Sequence, residues 1–330
     1  MPRTDSYVIG AGKNRSHGLA RYHIAILLVT LIISEGKGRP LFSDGRFRRG
    51  FRLSYPDSSR GRAVEAILNL NDEKNEPIWR LCQWGTKYSL ASSPCIQGST
   101  GDIWYESPAK KVLVGGQDSD NRDLILELKG KAEYGKRARK YGESWPHLLV
   151  EQDAATVYLL DRLKRVDFQI NLKLLYIENH MKESEYDPSL HAAQFQMFFI
   201  VKNVSRQTRD YADYFWFGVP FFDSRHEIPP AHMARDAGKT DATGKFIYTI
   251  DGKTVNTIPL RTGRWVTVEK DLLPCIKDGL REAVKRGYLG SADLHHYGIV
   301  NMNLGWEVPG TFDAAMQIRE FEVYVVPTDK

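Results

Sequence analysis

Tyr297-Gly298-Ile299-Val300-Asn301-Met302-Asn303-Leu304-Gly305-Trp306-Glu307 reads as a long strand, and Ala315–Val325 as a second one, the two joined by a turn that carries Pro309 and Gly310. Strand side chains alternate between faces, so Val300, Met302, Leu304 and Trp306 are expected on one side. Asn301, Asn303 and Glu307 then fall on the other. The apolar row can enter a core. A row of amides ending in an acid cannot, and suits a surface that reads sugar hydroxyls.

Working outward, the same alternation recurs. Arg165–Ile177 sets Val166, Phe168, Ile170, Leu172 and Leu174 against Asp167, Gln169, Asn171 and Lys173, one face dry and one wet. Ala63–Leu70, Pro77–Trp84, Lys111–Gly115, Asp123–Lys129, Pro146–Gln152, Ala193–Asn203, Lys245–Asp251 and Arg264–Glu269 are shorter runs bounded by Asn, Gly, Pro or Asp. Tyr211–Phe222 is apolar on both faces, which predicts a central strand covered on each side. One segment has helical spacing: Leu273, Ile276, Leu280, Ala283 and Val284, with Asp271 placed to cap and Gly287 to stop. About a dozen strands and one amphipathic helix predict an all-β fold, a two-sheet antiparallel β-sandwich. No blade-length repeat points to a propeller.

The chain has 330 residues, 42% hydrophobic, with formal charge +5, enough to bury one large core or two modest ones. Lys13, Arg15 and Arg21 precede the apolar run Ile24–Ile33, which ends at Ser34-Glu35-Gly36. That order matches a secretory signal peptide or an uncleaved N-terminal anchor over 1–36, the alternative being a buried helix. The apolar run is too short for a stable membrane span, which needs about 20 residues. Cleavage after Gly36 would remove four basic and two acidic residues and leave +3. Gly10-Ala11-Gly12-Lys13 has no βαβ context for a phosphate loop, and no nucleic-acid-binding module is visible.

Residues 37–62, rich in arginine, read as a basic arm, either solvated or an anion-binding edge. The sandwich is expected over 63–330, and the charged run 129–144 as an exposed loop. Of the three cysteines, Cys82 and Cys95 could pair in an exported protein, leaving Cys275 free; the alternative is three buried thiols. Asn203-Val204-Ser205 is a glycosylation acceptor if the host is eukaryotic.

The polar-lined strand followed by Met316-Gln317-Ile318-Arg319-Glu320-Phe321-Glu322-Val323 resembles the jelly-roll, concanavalin A-like sandwiches of secreted carbohydrate-active enzymes and lectins. The resemblance covers roughly residues 60–326 and is one of architecture. It implies a secreted or extracytoplasmic protein whose concave face binds a polysaccharide or other glycan. It implies no cofactor; a structural calcium is what the analogy allows, although no acidic loop resembles an EF-hand.

Three readings of the chemistry follow. Glycoside hydrolysis needs two carboxyls about 5–5.5 Å apart for retention or about 6.5–9.5 Å for inversion. Glu151 and Glu307 form the first pair to test, with Asp223 as a substitute. Jelly-roll glucanases carry an E-x-D-x-(x)-E strand, and Arg319-Glu320-Phe321-Glu322 lacks its central acid. A polysaccharide lyase would draw on His147, Gln194, Gln196, Asn301, Asn303, Arg319 and Tyr297. The Q-[IV]-H strand of alginate lyases is missing, with Gln194-Phe195-Gln196 its nearest echo. His147 is a candidate acid or base because imidazole titrates near neutrality; as strand mates, His147 and Glu151 stand about 13 Å apart.

The third reading is a non-catalytic lectin-like module. Flat rings stack on sugar faces, and Trp84 and Trp145, near strand ends, are groove candidates with Gln83 beside them. Trp306, by parity, belongs to the core.

Overall fold

The computed structural model describes residues 38–70, 75–115, 123–135, 137–237 and 242–328. The expected leader at 1–36 lies outside the described residues. Arg39–Lys330 form one compact unit.

In chain order the strands are β1 (Arg39–Pro40), β2 (Phe51–Ser54), β3 (Val64–Leu68), β4 (Trp79–Cys82), β5 (Ile96–Gln97), β6 (Ile103–Ser107), β7 (Lys110–Gly115), β8 (Asp123–Lys129) and β9 (His147–Asp153). They continue with β10 (Leu163–Asn179), β11 (Gln194–Asn203), β12 (Tyr214–Asp223), β13 (His232–Arg235), β14 (Phe246–Thr249), β15 (Trp265–Asp271), β16 (Tyr297–Glu307) and β17 (Phe312–Pro327). Two helices, α1 (Gly130–Tyr134) and α2 (Leu273–Lys285), interrupt them.

Among the described residues one sheet of eight strands runs β15-β10-β17-β8-β7-β6-β5, with β1 on β17; the other, of nine, runs β13-β14-β12-β11-β16-β9-β4-β2-β3. Pairing is antiparallel except at β12–β14 and β2–β4. The fold is therefore an all-β, two-sheet sandwich with one amphipathic helix, as the alternation predicts, and a jelly roll, as the resemblance implies.

The two inner faces meet in a single apolar core. Phe168, Ile170, Leu172, Met316, Ile318, Leu124 and Leu126 come from the first sheet, and Phe195, Met197, Phe199, Phe217, Met302, Leu304 and Trp306 from the second. Trp306, fully buried, donates its Nε1–H across the core to the Leu126 carbonyl at 2.9 Å, so its one polar atom is satisfied where the two sheets face each other. In α2, Leu273, Ile276, Leu280 and Ala283 are buried, Asp271 accepts from the Leu273 N–H at 3.0 Å, and Gly287 takes the left-handed turn at φ 76°.

Three expectations change. Within the arm read as basic and solvated, β1 and β2 pair with the sheets, and Leu41, Phe47, Phe51 and Leu53 are buried. Its apolar residues fill the core beside Trp79, while its arginines point outward. The run 129–144 is not wholly exposed either: α1 buries Glu133 and Tyr134. Arg139, 5% exposed, donates to the Glu143 and Leu190 carbonyls. All three cysteines are free: Cys82 is buried, Cys95 exposed and Cys275 half-buried.

Candidate functional site: the outer face of the nine-stranded sheet

Because strand faces alternate, burying Leu148 and Val150 of β9 turns His147, Leu149, Glu151 and Asp153 outward. On β16, Met302, Leu304 and Trp306 go in, and Asn301, Asn303, Gly305 and Glu307 go out. One detail departs from strict alternation. The β11–β16 register shifts by one between Ile200 and Val201, so Val300 bulges. Ile299 enters the core in its place and Val300 faces the cleft.

The register lines these outward residues into rows across the strands. His147, Glu307, Gln194 and Asp223 form one row over β9, β16, β11 and β12. Leu149, Gly305, Gln196 and Pro220 form the next. Arg80, Glu151, Asn303, Phe198 and Gly218 follow. Asp153, Asn301, Ile200 and Trp216 form the fourth. Neighbouring rows are two residues apart, about 6.6 Å, along β9, β16 and β11; on β12 a bulge sets Asp223 three residues from Pro220.

Over the third and fourth rows opens a cleft of about 460 Å³. Trp84, Tyr211, Tyr214 and Trp216 supply its aromatic walls; Glu151, Asp153, Asn301 and Asn303 its acids and amides. Arg62 and Lys202 reach it as well.

The acids are tightly held. Arg62 donates to both Asp153 oxygens at 2.6 Å and to Glu151 Oε1 at 3.0 Å, and Arg80 donates to that same Oε1 at 2.7 Å. Asn301 Nδ2 bridges the two carboxylates, 2.9 Å from Asp153 Oδ1 and 3.3 Å from Glu151 Oε1. The bond from Arg62, outweighing burial and helped by Asn301, holds Asp153 below the usual carboxylate range. The buried Cys82 thiol donates to Glu151 Oε2 at 3.4 Å, and burial pushes its pKa well up. The Asn303 side chain makes no hydrogen bond to any described residue and lies on the cleft wall.

The first row is a separate constellation. His147 lies between Trp84 and Trp145, with ring centroids 6.1 and 6.0 Å away. Its Nδ1–H donates to the Trp145 carbonyl at 3.0 Å, and its Nε2 lies 3.3 Å from Glu307 Oε2. Trp145 Nε1–H and Gln196 Nε2–H both reach Glu307, each at 3.4 Å. Gln194 and Arg225 are hydrogen-bonded to Asp223.

The expected site residues therefore divide. Glu151, Asn301, Asn303 and Trp84 line the cleft. His147, Glu307, Trp145, Gln194, Gln196 and Asp223 gather at the other end of the same face. Glu151 and Glu307 sit four register positions apart, about 13 Å along the sheet, each tied to partners on its own side. The backbones of that pair stand farther apart than those of Glu151 and Asp153, which are neighbours on one strand face. Gln83 is fully buried, spending its amide on the Ser54 carbonyl, Glu65, Ser89 and the Leu90 N–H. Arg319 belongs to the other sheet, bonded to Asp123 and 4.7 Å from the Trp265 ring. With Tyr297 buried in the core, the lyase set is dispersed.

Sequence reasoning missed Asp153, Arg62, Arg80, Tyr214 and Trp216. Asp153 had a local signal, since it follows Glu151 by two residues on one strand and so shares its face. The arginines come from distant segments and had none.

What the fold and face define is a two-sheet β-sandwich with an aromatic and acidic cleft on the outside of its larger sheet. No family model and no curated relative matches the chain. Among solved structures it is similar to the family 12 xyloglucanase from Bacillus licheniformis, at 8% identity and TM-score 0.39, over 72% of this chain and all of that one. It is also similar to the Cel12A endoglucanase from Rhodothermus marinus, at 10% identity and TM-score 0.37, over 74% of this chain and all of that one. A third is the family GH12 endoglucanase 3 of Trichoderma harzianum, at 6% identity and TM-score 0.34, over 73% and 97%. The architecture stands on the sheet topology itself. Among the described residues no helix is long and apolar enough to cross a membrane.

Proposed function

We propose that this chain is an extracytoplasmic carbohydrate-active protein that seats a glycan in the cleft over Glu151, Asp153, Asn301 and Asn303 and hydrolyses a glycosidic bond there. The observation that carries the reading is the lining itself. Four aromatic side chains offer flat apolar surface for pyranose faces, while amides and carboxylates on the floor match sugar hydroxyls. Neighbouring positions of one strand face place the Glu151 and Asp153 backbones about 6.6 Å apart, within side-chain reach of hydrolase separation. Glu151, which is nearly buried and clamped by Arg80, suits the nucleophile or base. Asp153, at the exposed edge, suits the acid.

Arg62 conditions this. A general acid must carry a proton, and Arg62 holds Asp153 low. The Arg62 side chain is 57% exposed, so an incoming sugar can displace it; its departure removes the largest influence that lowers Asp153, and the burial a bound sugar adds works to raise the group toward its protonated form. The second reading, a lectin-like module, is favoured by that same contact: with Arg62 in place both acids are engaged and the face only reads hydroxyls.

The test is a panel of neutral and acidic polysaccharides incubated with the purified chain, followed by assays for new reducing ends and for the ultraviolet absorbance of unsaturated uronates. Hydrolysis predicts reducing ends alone, falling to background in Glu151→Gln and Asp153→Asn. Unsaturated product would replace hydrolysis with elimination. Binding without product selects the lectin-like reading, and no binding to any glycan refutes both.

A further inference from the structure

Away from the cleft, on the outer face of the eight-stranded sheet, Glu178 of β10 and Asp313 of β17 are register partners, and His180 follows just after β10 ends. One ligand atom from each of these three lies within 4.8 Å of the others. His180 Nε2 stands 3.0 Å from Asp313 Oδ2 and 3.5 Å from Glu178 Oε2. It is closed to solvent, yet it makes no hydrogen bond of workable geometry to either.

We propose that Glu178, His180 and Asp313 form a binding site for a first-row divalent transition metal, with zinc the best fit. Ligand atoms about 2.0–2.2 Å from a tetrahedral Zn²⁺ stand about 3.3–3.6 Å from one another. The 3.5 Å spacing matches that edge and the 3.0 Å spacing falls a few tenths of an ångström short of it, so a small shift of the His180 ring admits a cation between atoms that fail to bond one another. One imidazole nitrogen with two carboxylate oxygens suits Zn²⁺ or Mn²⁺ and disfavours Ca²⁺, which takes oxygen ligands. The supports around the ligands are also present. Asp313 Oδ1 accepts the Lys131 N–H at 2.9 Å, which leaves Oδ2 to the metal. The His180 N–H donates to the Thr311 carbonyl at 3.0 Å and fixes the turn that carries the ring. Glu178, 63% exposed, leaves a side open for water as the fourth ligand.

Such an ion would pin the end of the β10–β17 ladder, the longest among the described residues, to the turn before β17 and, through Lys131, to α1. Its role is structural, since the cleft lies on the other sheet.

The experiment takes the full chain stripped with a chelator. It measures Zn²⁺, Mn²⁺ and Ca²⁺ binding by equilibrium dialysis with elemental analysis, and Tm with and without each ion. Expected is one Zn²⁺ per chain and a Tm rise on the order of 5 °C at saturating metal. Affinity should fall on the order of tenfold to hundredfold in Glu178→Gln and disappear in His180→Ala. Because Glu178 is exposed, Glu178→Gln tests the site even if His180→Ala fails to fold. Absence of zinc binding, zinc binding unchanged in both variants, or stabilisation by calcium equal to that by zinc would each overturn the assignment.

Discussion

Arg80→Met should destabilise the protein far more than Arg62→Met, although both guanidiniums bond the same Glu151 oxygen. Arg80 and Glu151 side chains are only 12% and 9% exposed and meet at 2.7 Å. Removing one member of a buried pair leaves the other charge stranded, at about 3–5 kcal/mol. Arg62 stays at 3.0 Å from Glu151 and tempers the loss, which puts Arg80→Met near 3 kcal/mol. Arg62 itself is 57% exposed and Asp153 58%, a geometry in which pairs contribute about 0.2–1 kcal/mol. The expected gap of about 2 kcal/mol is roughly a thirtyfold difference in the folding constant. Urea unfolding of wild type and both variants at neutral pH, fitted to linear extrapolation, reads it directly. Equal losses, or a larger loss at Arg62, would show that burial does not rank these two contacts and would undo the description of Glu151 as anchored from the Arg80 side.

Three further expectations concern stability. Trp306→Phe removes the bond across the core to the Leu126 carbonyl and leaves a smaller ring in its place, and should lose about 1–3 kcal/mol, with Trp306→Ala nearer 3–5, read from the same unfolding curves. Burial lowers Lys110 to about 8, against an ordinary value of 10.5. Its folded pKa lies below its unfolded one, so its contribution is complete above pH 10.5 and lost as pH falls through about 8; Lys110→Met should flatten that part of the stability profile. Burial works to raise Asp223, but the bonds from Arg225 and Gln194 outweigh it and lower the group. The stability it supplies is therefore present above the unfolded value near 3.8 and lost as pH falls through the lowered one. Asp223→Asn should shrink the acid limb of a Tm-against-pH curve.

The fold was legible because each long strand carries its own period. The bounds read for Asp123–Lys129 and Tyr297–Glu307 match β8 and β16, and the polar row Asn301, Asn303 and Glu307 lies on the outer side of its sheet, although neighbouring side chains cover Asn301 and Asn303 to 4% and 8% exposure. What could not be read locally was set by pairing. Val300 leaves the core face only because β11 and β16 slip by one residue, a fact held in neither strand alone. Arg62 and Arg80 reach Glu151 from 89 and 71 positions away. Trp216 and Tyr214 were hidden in a strand apolar on both sides, where a ring that lines a cleft and a ring that fills a core look alike in sequence. The segment 37–62 misled for the opposite reason: its arginines dominate its composition, while Phe47, Phe51 and Leu53 decide where it goes.

The central claim is that the cleft beside Glu151 is where a sugar chain sits. The most direct measurement is the affinity of wild type, Trp216→Ala and Asn303→Ala for whichever oligosaccharide the wild type binds, with Arg319→Ala as a control on the opposite sheet. The account predicts at least about tenfold weaker binding, roughly 1.4 kcal/mol, for both cleft variants and none for the control. Unchanged affinity in Trp216→Ala and Asn303→Ala, with loss in Arg319→Ala, would place the ligand on the other sheet and contradict it.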